Sequence, residues 1–306
     1  MSDHFKFRIY LPTLEKYVYF KELTSKDHLV FIKTLQNVDH NITLKYFRDL
    51  ILKLCDNAVN YNELTRIDIF CILLNIRIIC VSSLLKLKFK CEKTDKVYNI
   101  ELDLYDILDR VTNYDYQYTD EVTINDDLQI QLKVPIELKY SDLHSTILDC
   151  IDRIILFDNI HELQEYNTDQ RKTIIDNLPG DVFNEITRVV DEKHKSYDIE
   201  IFEQKNPHNE DEKPIKHTLN LYSDSFYQFI RLIYDENLNN IYQVRYILGK
   251  QLGMSATYLE TITQSEVEIY LKLLEKEIHD QKKAAEKASK QSTDGYDIPG
   301  MMPTKT

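Results

Sequence analysis

The sequence predicts an α+β protein, with β-hairpins packed on helices followed by an all-helical C-terminal module. Three observations point there. Alternating apolar and polar runs recur in pairs around polar turns, as in FKFRIYLPTLEKYVYFKEL; longer segments carry apolar residues at helical spacing behind capping residues; from residue 223 onward only the helical spacing remains. The chain has 306 residues with 43% hydrophobic content, enough to build a real core.

The elements follow in order. Residues 5–23 read as strand, turn, strand, because Phe5, Phe7 and Ile9 alternate with Lys6 and Arg8 and Pro12 marks the bend. Ser25 offers a cap for KDHLVFIKTLQN, and Thr43 one for LKYFRDLILKLCDN. The run from Leu64 to Ser82 is apolar nearly all round, which predicts a helix buried among others. LKFKCEKTDKVYNIELDL (85–102) reads as a second hairpin, LYDILDRV as a short helix, and EVTINDDLQIQLKVPI (121–136) as a third hairpin turning at NDD. SDLHSTILDCIDRIILF is expected as one helix. NTDQRKTIIDNLPGDVFNEITRVVDEKH is expected as two, broken at Pro179 and Gly180. Residues 197–221 repeat the opening device of strand, charged turn and strand. Four helices then close the chain. The expected units are 1–140, 141–222, a helical module over 223–285 and a flexible tail over 286–306.

Several function classes are disfavoured. A formal net charge of −13 argues against a phosphate-binding surface, so nucleic acid is not the expected partner and proteins are. MSDHFKFRIYLP meets charge too soon for a signal peptide, and the most apolar stretch, 67–81, is shorter than a bilayer span and contains Asn75 and Arg77. Membrane contact is therefore not expected, and the cytosol is. The five cysteines (Cys55, Cys71, Cys80, Cys91, Cys150) stand singly, as reduced, buried thiols do. The five glycines begin at Gly180 and have no phosphate-loop spacing.

Candidate chemistry is sparse. A zinc site needs four ligands, and the hairpins supply Cys91 on one side and His208 and His217 on the other. His144 and Cys150, six residues apart, fall on different faces of a helix. The carboxylates from Asp103 to Asp127 read as solvated faces and loop ends, without the ligand spacing or glycine of a calcium loop. No catalytic residue, cofactor or metal is expected.

Interaction has more support. The last helix opens with Ser265, Glu266 and Glu268 and carries Val267, Ile269, Tyr270, Leu273 and Leu274, a stripe that must cover something. Its neighbours FYQFIRLIY and IYQVRYIL are rich in Tyr, Phe and Arg, residues favoured in interfaces. These helices either pack on one another or present a surface. The candidates for partner binding are Tyr242, Arg245, Tyr246, Glu266, Glu268, Ile269, Tyr270, Leu273 and Leu274.

The order LPTLEKYVYFKELTSKDHLVFI, YFRDLILKLCDN, NELTRIDIFCILLNIRIICVSSLLKLKFKCEKTDKVYNIELDL resembles the baseplate hub and assembly proteins of contractile-tailed phages of the T-even type. Leu11 and Pro12, then Leu64, Asp68, Phe70, Arg77 and Ser82, then Lys90, Cys91, Ile100 and Leu102 carry the likeness. It runs over roughly residues 8 to 222. The segment from NNIYQVRYIL to LKLLEKE is similar to the helical piece that follows in such phages, through Glu266, Glu268, Ile269, Tyr270, Leu273 and Leu274, with Ser265 at a tryptophan position. Where family members carry further cysteines in the hairpin turns, this chain has CEKTDK and QKNPHNEDEK, so zinc is not implied. The resemblance implies a non-enzymatic hub assembly protein, a chaperone for tape measure or hub proteins, acting in the host cytoplasm. A structural hub subunit in the virion baseplate, in a homo- or hetero-oligomer, is the alternative, and a metal-dependent hub hydrolase a distant one.

Overall fold

A computed structural model describes residues 6–293 apart from 38, 61–62, 91–96, 114–119, 126, 136–142, 158, 205–214 and 236–237. Strands β1 (Lys6–Leu11) and β2 (Lys16–Lys21) form an antiparallel hairpin whose inward side chains Ile9, Leu11, Val18 and Phe20 are buried. Helices α1 (Ser25–Leu35), α2 (His40–Leu54) and α3 (Arg66–Cys80) follow. Thr24 caps α1 and Asp39 caps α2, one residue or more ahead of the caps the sequence suggested at Ser25 and Thr43, because both of those hydroxyl residues are buried inside the helical turn.

The second hairpin is β3 (Leu84–Lys90) with β4 (Val97–Asp103), and α4 (Leu104–Thr112) follows directly. The third, β5 (Asp120–Asn125) with β6 (Leu128–Leu132), does not stand alone. The segment expected as one helix over 141–157 ends its helix α5 (Leu143–Cys150) early and continues as β7 (Ile151–Leu156), which pairs with β6, while β8 (Asn159–Glu162) completes a four-stranded antiparallel sheet. The physical reason lies in IDRIIL: the β-branched Ile151, Ile154 and Ile155 favour the pleated sheet, and the ladder of β6 satisfies their backbone. Helices α6 (Thr168–Asp176) and α7 (Gly180–Ser196) precede the last hairpin, β9 (Asp198–Gln204) with β10 (Ile215–Asn220).

The C-terminal helices are α8 (Asp224–Ile233), α9 (Leu238–Leu252), α10 (Ala256–Thr261) and α11 (Gln264–Thr293). Gly253, at φ +67°, ends α9 in the left-handed region that a Cβ makes costly. Part of the segment expected as flexible, 286–293, belongs to α11; 294–306 lie outside the described residues. Buried side chains from Ile9 to Ile241 form one cluster, and Leu248, Leu259, Ile262 and Val267 form a second, smaller one.

Helix α3 sits at the centre of the large cluster. Its polar residues are tied to neighbours. Asp68 is fully buried and accepts from the backbone N–H of Thr13 (3.1 Å), from the Thr13 hydroxyl, from the Thr65 hydroxyl (2.9 Å) and from the Thr65 N–H (3.4 Å). It thereby closes the capping box of α3 and holds the β1–β2 turn against it. Arg77 donates from Nε to the Ile233 carbonyl (2.6 Å) and from a terminal nitrogen to that of Ser82 (2.7 Å), and the Tyr234 hydroxyl donates to the Leu73 carbonyl (2.7 Å).

Burial pushes the Asp68 carboxyl above its ordinary value, against four hydrogen bonds that pull it down. A carboxyl that holds its proton more tightly when folded contributes most stability below the ordinary carboxylate value and loses that contribution as pH rises through the folded value. Urea unfolding across pH should show this slope, and Asp68→Asn should abolish it. At neutral pH the same variant should lose about 1–3 kcal/mol, because its amide group turns a donor toward donors.

Candidate functional site

The start of α11 is joined to the start of α1 through backbone. Thr24 and Thr263 form an antiparallel bridge, in which Ser25 N–H donates to the Ile262 carbonyl (2.8 Å) and Gln264 N–H to the Leu23 carbonyl (3.2 Å). Thr24 is the N-cap of α1, and Thr263 accepts from Glu266 N–H (3.3 Å) while Glu266 accepts from Thr263 N–H (2.7 Å), so two helices start side by side from one bridge. Side chains reinforce it: Ser265 donates to Glu22 (3.0 Å), Gln264 lies 3.2 Å from His28 Nδ1, and Lys26 meets Glu260 at 3.3 Å. Glu22 is buried there, and its second carboxylate oxygen has no hydrogen-bond partner among the described residues.

This anchoring fixes which faces of α9 and α11 reach solvent. On α11, Val267 and Leu274 turn inward and are buried, while Ile269 (55% exposed) and Leu273 (57%) project from another side of the helix. Tyr270 is half-buried, and its hydroxyl lies 3.1 Å from that of Tyr258, which raises the Tyr258 phenol above its ordinary range. Glu266 is committed to the cap and Glu268 pairs with Lys272 at 3.4 Å. On α9, Ile241 and Leu248 are buried, whereas Tyr242 and Tyr246 stand one helical turn apart and exposed, with Arg245 half-buried between them. Lys33 lies 5.7 Å over the Tyr242 ring and Lys250 lies 5.5 Å over that of Tyr246. Of the nine candidates, Tyr242, Tyr246, Ile269 and Leu273 thus offer exposed apolar surface. The candidates chosen from sequence leave out Ile247 and Leu252 of α9 and Tyr258 of α10, which are also exposed.

The chemistry considered from sequence is placed as follows. Cys91 and His208 lie outside the described residues, and His217 is stacked on Phe202 at 4.2 Å within the β9–β10 hairpin. Among the described residues, no group of three His, Cys, Asp or Glu side chains is gathered as a metal site needs, and no helix is long and apolar enough to cross a membrane. Cys55, Cys71, Cys80 and Cys150 are buried free thiols. Burial pushes Cys80 and Cys150 up to about 12 and Cys71 well above its ordinary value, which holds them as inert thiols at neutral pH.

The family model described as T4 bacteriophage base plate protein matches residues 4–220. No curated protein and no solved structure matches. The match spans the four hairpins and helices α1 to α7 and stops before α8, so the exposed faces of α9 and α11 lie beyond it.

Truncation separates packing from presentation. Leu274→Ala should destabilise by about 2 kcal/mol or more, as buried leucines do. Leu273→Ala and Tyr246→Ser should each stay within about 0.5 kcal/mol of the wild type in thermal unfolding.

Proposed function

As the chain belongs to the T4 bacteriophage base plate protein family, we propose that it is a non-enzymatic assembly protein of the baseplate hub, one that holds tape measure or hub proteins through its C-terminal helices while the tail is built. One observation carries this reading. Outside the matched segment, α9 and α11 present Tyr242, Tyr246, Ile269 and Leu273 to solvent although their other faces are packed, so these side chains contribute nothing to the fold that a polar residue would not. Tyrosine and large aliphatic residues on rigid helices are the types that anchor protein contacts. A net charge of −13 over the chain as a whole favours solubility between contacts. A client of complementary shape would be a long amphipathic helix laid along them.

The second reading is a structural hub subunit retained in the virion, and it too has a supporting observation. The backbone bridge Thr24–Thr263 holds the module rigidly to the body, as a permanent interface in a fixed oligomer requires. In both readings the host cytoplasm is the place of action, with the virion baseplate as the final location in the second. A metal-dependent hub hydrolase is the distant third reading; the thiols of Cys80 and Cys150 are buried and keep their protons at neutral pH, which does not suit them to nucleophilic chemistry.

Mass spectrometry of purified virions beside lysate of infected cells, quantifying this chain against a known tail subunit, separates the two. Abundance in lysate with absence from virions is the expected result. A fixed stoichiometry in virions would establish the structural subunit instead.

A further inference from the structure

The β1–β2 hairpin has a second face that the fold does not use. Its register sets Arg8 opposite Tyr19 and Tyr10 opposite Tyr17, all four on the side away from Ile9, Leu11, Val18 and Phe20. Tyr17 is 57% and Tyr19 60% exposed. The Arg8 guanidinium lies 4.1 Å from the centroid of the Tyr17 ring, and the rings of Tyr10 and Tyr17 are 5.0 Å apart. These contacts stack the groups against one another and leave the outer surface of the layer open.

The electrostatics of this face differ from those of the chain. There are 51 acidic and 38 basic residues in all, yet neither strand, KFRIYL or KYVYFK, contains a carboxylate. Lys21 is paired with Asp56, but Arg8 makes no ion pair among the described residues. The face therefore carries a guanidinium whose donors are not spent on a carboxylate, beside three phenolic hydroxyls. Neither strand pairs with a third among the described residues, which leaves strand edges beside the face.

We propose that the outer face of the β1–β2 hairpin docks an acidic, extended segment of a partner polypeptide. Arg8 takes a carboxylate in a bidentate pair, which its stacking on Tyr17 pre-orients. Tyr10, Tyr17 and Tyr19 supply large, stiff contact area at low entropic cost. An acidic partner fits because the unpaired Arg8 guanidinium attracts its carboxylates on a face whose strands have none, while the excess of carboxylates over the chain as a whole repels it elsewhere. A nucleic acid fits poorly, since its affinity rests on several clustered cations and this face offers one unpaired guanidinium. The surface is separate from α9 and α11, so the proposal does not depend on what those helices hold.

The test uses the full chain and an immobilised random copolymer of glutamate and tyrosine, with a single-stranded oligothymidylate as competitor. The expected result is saturable binding that weakens with salt, falls about tenfold or more in the Arg8→Ser, Tyr19→Ser double variant, and is untouched by Tyr246→Ser. The double variant should unfold at the wild-type temperature, because both side chains point away from the core; Tyr17→Ser serves as an independent variant with the same expected loss. Absence of copolymer binding, equal binding by the hairpin variants, an equal loss in Tyr246→Ser, or competition by the oligonucleotide as strong as that by free copolymer would each overturn the proposal.

Discussion

Helix α3 has almost no solvent side, and the rest of the molecule is arranged to supply what it lacks. Thirteen of its fifteen residues are buried, so the helix is unstable except when wrapped. The wrapping is directed by the few polar groups it carries. Asp68 draws in the β1–β2 turn through Thr13, and Arg77 draws in the end of α8 through Ile233 and the start of β3 through Ser82. Arg66 faces the rings of Tyr222, Phe226 and Tyr227 at 5.3–5.9 Å. A buried ionisable group is costly unless satisfied, so each of these residues penalises arrangements that leave it unpaired. The apolar residues provide the driving force for collapse, and the polar ones select the register in which it happens.

Of the residues named for the resemblance, Leu11, Pro12, Leu64, Asp68, Phe70, Arg77 and Leu102 are buried, Ser82 accepts from Arg77, and Ile100 is half-buried; Cys91 lies outside the described residues. Asp68 and Arg77 are the two that tie α3 to its neighbours. The match stops at residue 220, but the core does not, because Phe226, Phe229, Ile230, Ile233 and Tyr234 of the next segment are buried in the same cluster. Helix α8 therefore closes the body from outside the matched segment, and the bridge at Thr24 and Thr263 attaches α11 to it.

Local physics made most of the elements legible in the sequence, and long-range physics accounts for what was missed. The alternation of FKFRIYL and KYVYFK and the break at Pro179 and Gly180 are contained within a few residues. Strand β7 is different. STILDCIDRIILF is apolar at a spacing that suits a helix, and only the edge offered by β6, some twenty residues earlier, converts its second half to strand. The two halves of the Asp68 site show the same division: Thr65 is a local partner three residues away, whereas Thr13 is 55 residues away and has no local signature; neither contact was read from the sequence.

The surface residues obey a further rule, and it bears on how an interaction protein is read. An apolar stripe on a helix predicts that something covers it but not what does, because burial within the fold and burial against a partner call for the same side chains. In α11 the stripe divides: Val267 and Leu274 are spent on the module's own core, and Ile269 and Leu273 are not. The start of α11 is held by a backbone pairing of Thr263 with Thr24, 239 residues earlier in the chain, so the environment of the helix is set by a long-range contact. Hydrophobicity along the helix could not reveal it. What does distinguish the two sets is whether a neighbouring element has already desolvated them, and for Ile269 and Leu273, as for Tyr17 and Tyr19 on the opening hairpin, none among the described residues has. Exposed apolar surface on rigid elements is the kind of surface that protein contacts draw on, and α9, α11 and the β1–β2 hairpin each carry some of it.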